Sequence, residues 1–162
     1  MPKTVIGVMG PGSSATAFDL KNAYDIGRLI AEKGYVTLTG GRPNGVMEAA
    51  LKAAKDAGGQ TVGILPSGDK RDASAYADIV IVTAMMSARN NINALSSDVV
   101  VACGIEAGTL SEIALALKAD KNVVLISQNE TGNAFLEKLG QGSLYLASDA
   151  RAAMDIVEQH LK

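Results

Sequence analysis

The sequence predicts one doubly wound α/β domain across residues 1–162, built on a mostly parallel sheet of six or seven strands. Three observations predict it. Short β-branched runs alternate with longer helical patterns along the chain. The runs are apolar almost throughout rather than alternating, as parallel strands covered on both faces must be. The glycine-rich and polar segments GPGSS, GGRPNG, PSGDKRD, MMSARNN and CGIEAGT all follow strands, whereas the returns from helix to strand are short. In an open parallel sheet such loops share the carboxyl edge, where ligands bind at the switch in strand order.

The first strand is VIGVM from Val5, and a helical pattern follows from about Leu20 to Lys33. YVTLT from Tyr35 is the second strand, and Val46 to Ala57 the helix that returns from it. TVGIL from Thr61 and DIVIVT from Asp78 are strands joined by the polar PSGDKRD, after which Ala88 to Ser96 reads as a short helix. DVVVAC from Asp98 leads to a helix over Leu110 to Ala119, and NVVLI from Asn122 to one over Ala134 to Leu139. A weaker strand, SLYLA from Ser143, precedes a last helix from Ala150 to Leu161. Strand and helix alternate with right-handed crossovers in such a chain.

A chain of 162 residues, 48% hydrophobic and 20% charged, is long enough for one sizeable core and short for two. With no Trp and two Phe, that core is built from Val, Ile, Leu, Ala and Met. A net charge of -2 gives no long-range attraction to nucleic acid or a membrane surface, so neither is an expected partner and any anion site is local. Cys103 and His160 are each the only residue of their type, so no disulfide, no Cys/His metal cluster and no metal site are expected. A Ser-His-Asp triad would need His160, two residues from the end. No run approaches the roughly 18 to 20 apolar residues of a membrane span, and a reduced cytoplasmic setting is the expectation.

Gly10 to Ala15 matches G-x-G-x-x-A, but the second strand ends in Thr39-Gly40-Gly41 where a dinucleotide site needs an acidic residue. Gly12, Ser13 and Ser14 therefore read either as another phosphate contact or as a turn with serine caps. Gly40 to Gly45 has P-loop spacing, yet Val46 and Met47 stand where a lysine and a hydroxyl residue should follow, which argues against an NTPase. What remains is a glycine loop entering a helix with Arg42 beside it, either an anion cradle or a turn that needs positive φ.

Arg89 opens a helix, where the partial positive charge of the helix end disfavours it unless an anion arrives. Asn90 and Asn93 follow on one helical face. Met85 and Met86 are expected to fill core gaps or a subunit contact. Thr109-Leu110-Ser111-Glu112 has the form of a T-x-x-E capping box, with Thr109 as the N-cap. Capping alone does not account for Gly104 and Gly108, so an anion cradle stands beside that reading. Cys103 reads as a small buried strand residue.

Taken together, VMGPG, LTGGRPNGVMEAALKAAKDAGGQTVGILP, SARNNINALSSDVVVACG and AGTLSEIALALK resemble the molybdenum cofactor carrier proteins, a branch of the Rossmann-like proteins that include cytokinin-activating phosphoribohydrolases. The resemblance runs from about Val5 to about Ile126. It implies a soluble, cytoplasmic homo-oligomer, a tetramer or dimer, that holds the molybdopterin form of molybdenum cofactor and passes it to molybdoenzyme apoproteins. The ligand is then an anionic pterin or nucleotide-like small molecule. The matching positions assign anion contacts to Gly40, Gly41, Arg42, Gly45, Gly104, Gly108 and Thr109, with Gly12, Ser13, Ser14, Arg89, Asn90 and Glu112 completing the site. No catalytic residue is expected on that branch.

On the hydrolase branch, Arg89 and Glu112 match the arginine and the glutamate of a P-G-G-x-G-T-x-x-E motif. They would then cut the N-glycosidic bond of a nucleoside 5′-monophosphate. The sequence departs from that motif with Cys103 for proline, Ile105 for the second glycine, and one extra residue before Gly108.

Overall fold

The computed structural model describes residues 1–161. Among these, seven strands form one fully parallel sheet with the order β4-β3-β2-β1-β5-β6-β7. The strands are β1 (Val5–Met9), β2 (Val36–Thr39), β3 (Gln60–Leu65), β4 (Ile79–Val82), β5 (Val99–Cys103), β6 (Asn122–Ile126) and β7 (Leu144–Leu146). The helices are α1 (Ala17–Glu32), α2 (Gly45–Asp56), α3 (Arg89–Ser96), α4 (Ala107–Lys118), α5 (Glu130–Gly140) and α6 (Ala150–His160). The doubly wound α/β class read from the sequence is the class found.

Alternate residues of each central strand feed opposite layers, the period-two geometry of a pleated strand. Ile6, Val8, Val99, Val101, Val124 and Ile126 pack with α1, α2 and α6 on one face. Met9, Val100, Ala102, Val123 and Leu125 pack with α3, α4 and α5 on the other. Both layers are dry and aliphatic, which explains why the strand sequences carry no polar alternation. In the first layer α1 and α2 touch backbone to side: a Cβ on Gly27 would lie 3.0 Å from Cα of Ala50.

Strand β4 departs from the reading of its sequence as covered on both faces. Ile79, Ile81 and Val82 are 40 to 45% exposed. The strand lies at the sheet edge, and the chain leaves it for the centre of the sheet through α3, so among the described residues no helix is laid over it.

Helix starts differ more. Helix α1 begins at Ala17 rather than near Leu20, because Thr16 caps it in a box: the Asp19 amide donates to Thr16 Oγ1 at 3.1 Å and the Thr16 amide to Asp19 Oδ2 at 2.9 Å. The box expected at Thr109 is absent. Helix α4 starts three residues sooner, with extended Glu106 as its N-cap and no side-chain cap bond. Gly104, at φ +87°, turns the chain out of β5 early enough for Gly108 and Thr109 to lie inside the first turn. Helix α5 likewise begins at Glu130, capped by Asn129, rather than at Ala134.

Replacing Thr16 with Ala removes the only side-chain acceptor for the Asp19 amide and is expected to lower stability by about 1 kcal/mol. A urea titration checks this as a lower midpoint at unchanged slope.

Candidate functional site

Beside β1 the strand order reverses, since β2 lies on one side and β5 on the other. The loops after β1, β2, β3, β4 and β5 rise around this point and enclose a cleft of about 350 Å³. Three turns that shape its walls are held by left-handed glycines, Gly41, Gly45 and Gly104. Of the residues expected at the site, Gly12, Ser13, Gly40, Arg42, Arg89, Asn90, Gly108, Thr109 and Glu112 line the cleft. Ser14 lies at the rim and donates to Glu106 Oε2 at 2.9 Å, joining the first loop to the start of α4. Gly41, Gly45 and Gly104 shape the turns without lining it.

Arg89 opens α3 and is only 8% exposed. Its guanidinium lies against Gly40, where any Cβ would collide with Nη1, and beside Met47. Its Nε is buried without a partner. Burial pushes the guanidinium below its usual range, the Glu112 carboxyl counters that, and Arg42 adds to the lowering. Two guanidinium groups therefore share the cleft, and among the described residues neither forms an ion pair within 4.0 Å. Partnerless buried donors facing a cavity are what an anionic or acceptor-rich ligand would satisfy.

Glu112 is 7% exposed, and its Oε1 accepts from Asn93 Nδ2 at 2.8 Å. Burial raises its carboxyl to about 7; the Asn93 bond and Arg89 oppose the shift, and Glu106 adds to it. The group is thus divided between acid and carboxylate at neutral pH. Asn93 is fully buried, and Asn90 donates to Ser111 Oγ at 2.9 Å, so α3 and α4 are pinned together behind the cleft. Thr109 Oγ1, freed from capping, is buried and unpartnered at the wall.

Reading the sequence missed several wall residues. Asn44 caps α2 in extended backbone without a side-chain cap bond, and its Oδ1 is buried and unpartnered. Its place before Gly45 at a helix start was the available signal. Asn93, placed by the sequence on one helical face with Asn90, stands behind the wall rather than in it, and its bond to Glu112 gave no sequence signal. Glu106 gave none, because its role depends on where α4 begins. Met86 is not a core residue: it is 68% exposed at the cleft mouth, and Met85 beside it is also exposed, since the chain has passed the end of the edge strand. Cys103 is buried as expected, and burial raises its thiol far above the reactive range.

The model of the SLOG cluster4 family matches residues 3–154. The chain is 50% identical to the molybdenum cofactor binding protein of the phototrophic bacterium Rippkaea orientalis, with a TM-score of 0.98 over 100% of this chain and 99% of the other. The molybdenum cofactor carrier protein of Chlamydomonas reinhardtii is 48% identical at a TM-score of 0.91, covering 99% of both chains. A protein of Archaeoglobus fulgidus is 49% identical over 119 residues, 73% of this chain and 76% of its own length.

Because the folded carboxyl of Glu112 titrates near 7 instead of 4.5, folding holds a proton that the unfolded chain releases between those values. Stability therefore falls as pH rises through that window and levels off above it. Glu112→Gln keeps the acceptor for Asn93 and removes the buried charge. It is expected to match the wild type near pH 4.5 and to exceed it by on the order of 2–3 kcal/mol at pH 8. Thermal melts at both pH values read the difference.

Proposed function

The chain belongs to the SLOG cluster4 family, and we propose that it binds molybdenum cofactor in the cleft beside β1 and carries it to molybdoenzyme apoproteins. The observation that carries this reading is identity of about half, along the full chain, to proteins named as binding or carrying that cofactor. The residues present fit the group. A molybdopterin offers a terminal phosphate, a hydrogen-bonding pterin and an oxyanionic centre, and the cleft offers two arginines plus the unpartnered Nε of Arg89, Oγ1 of Thr109 and Oδ1 of Asn44. First-turn amides of α4 have no intrahelical acceptor, which suits them to phosphate oxygens; in α2 the Val46 amide is taken by the Pro11 carbonyl at 3.0 Å.

In this reading Arg42 and the Gly40 to Gly45 loop hold the phosphate, with Gly12, Ser13, Ser14, Gly41, Gly104 and Gly108 shaping the cradle. Arg89, Asn90, Thr109 and Glu112 meet the remainder of the ligand. Bound cofactor supplies the oxidation-sensitive metal and dithiolene; the chain supplies orientation and exclusion of water. The carrier works as a cytoplasmic homo-oligomer, a tetramer or dimer. The exposed apolar edge of β4 with Met85, and Phe135 and Leu139 on α5, support association. Among the described residues no helix is long and apolar enough to cross a membrane.

Purification from a host that makes molybdenum cofactor, followed by oxidation of the denatured protein, tests the reading: near-stoichiometric fluorescent pterin per subunit is expected, and background pterin overturns it. Arg42→Ala and Arg89→Ala are each expected to lower retained pterin about tenfold or more, the effect of losing a charged hydrogen bond.

A second assay separates the hydrolase reading, in which Arg89 and Glu112 form the working pair. Incubation with AMP is expected to release no adenine above the level of Glu112→Gln.

A further inference from the structure

The two buried charged groups of the cleft feel one another's charge but form no direct ion pair. Arg89 and Glu112 are 8% and 7% exposed and both line the cavity, yet the ion pairs among the described residues, drawn to 4.0 Å, include neither. Nε of Arg89 has no partner at all. One oxygen of Glu112 is held by Asn93 at 2.8 Å, and Asn93 is itself fully buried, so the carboxyl cannot swing to the guanidinium without breaking that bond. A guanidinium can only donate, and a carboxylate can only accept. A ligand that meets the guanidinium and the ionised carboxyl together presents an acceptor to Arg89 and a donor to Glu112.

We propose that Arg89 and Glu112 read a 2-amino-4-oxopyrimidine edge, the hydrogen-bonding face that pterins and guanine share, and that Asn93 is the positioning residue that holds the carboxyl for it. This rests on the carrier reading only for the pterin; the edge itself follows from the side chains. Its carbonyl accepts from Arg89, while its ring N–H and exocyclic amino group donate to Glu112. An adenine edge inverts the pattern, setting an amino donor before the guanidinium and a ring acceptor before the carboxylate. A site built to satisfy one set of hydrogen bonds rejects the ligand that leaves them unmade. Donors approaching Glu112 also favour its ionised form, which is within easy reach for a carboxyl titrating near 7. The thioethers of Met9, Met47 and Met86 line the same cleft and suit the faces of a flat ring. A cleft of about 350 Å³ is of a size for a bicyclic heterocycle with a short substituent.

Titration calorimetry of the full chain with 6-hydroxymethylpterin, GMP, AMP and inorganic phosphate tests the proposal. The wild type is expected to bind 6-hydroxymethylpterin, and GMP beyond AMP, with a preference over AMP of about tenfold or more. Glu112→Gln is expected to abolish that preference, and Asn93→Ala to reduce it. AMP bound as tightly as GMP and the pterin overturns the proposal, as does a preference that survives in Glu112→Gln. The wild-type ranking alone decides should a variant fail to fold. GMP and pterin bound alike assign the shared edge; pterin bound without GMP assigns the edge within a pterin only. Copurified molybdopterin with no preference among the probes sinks this inference and spares the carrier reading. Preference for GMP with neither pterin bound nor molybdopterin copurified does the reverse.

Discussion

Parallel pairing of β1 with β2 on one side and β5 on the other sets the rest of the molecule. Because every strand runs the same way, each connection must cross back over the sheet, and the apolar faces on both sides need helices to cover them. Helices α1 and α2, which follow β1 and β2, cover one face of the sheet, and α3 and α4, which flank β5, cover the other. The loops at the carboxyl edge are therefore drawn apart beside β1, and a cleft opens there. Ile6 and Val8 on one side and Met9 on the other anchor that strand in both layers, which keeps the floor of the cleft rigid.

On this dry scaffold the chain buries two opposite charges that remain apart. Burial opposes ionisation of both groups, and it is visible in the directions of their shifts: the guanidinium of Arg89 down, the carboxyl of Glu112 up. A direct pair would relieve both. It does not form: Arg89 lies against Gly40, and Glu112 is tied to Asn93. Groups held in an unsatisfied state by their surroundings cost stability, and that cost is recovered when a ligand of matching polarity enters. Gly40 matters here because it leaves room for the guanidinium.

The fold was legible in the sequence because the strands are rich in Val and Ile and covered on both sides, and the glycine loops all fall after strands. Helix interiors were legible from apolar spacing, and so were the starts of α2, α3 and α6, but those of α1, α4 and α5 were not. Thr16 with Asp19 and Thr109 with Glu112 both fit a capping box of an acceptor followed three residues later by an acid. Only the first is one. At the second, the positive φ of Gly104 lets α4 begin early, and what would have been cap residues become walls of the cleft. The motif constrains three residues of spacing, whereas the angle at which β5 releases the chain is set by packing beyond them.

By itself the sequence determined the class of fold, the edge on which a ligand would bind, and the presence of Arg42, Arg89 and Glu112 there. These follow from local patterns: β-branched runs, helical periodicity, and glycine where the backbone must turn. Tertiary structure decided that Arg89 and Glu112 stay unpaired, that Asn93 supports one of them, that Asn44 and Glu106 join the wall, and that β4 is left uncovered. Each of those depends on which loop lies against which across a sheet ordered differently from the chain, and residues 19 to 92 apart in sequence have no local signal of meeting.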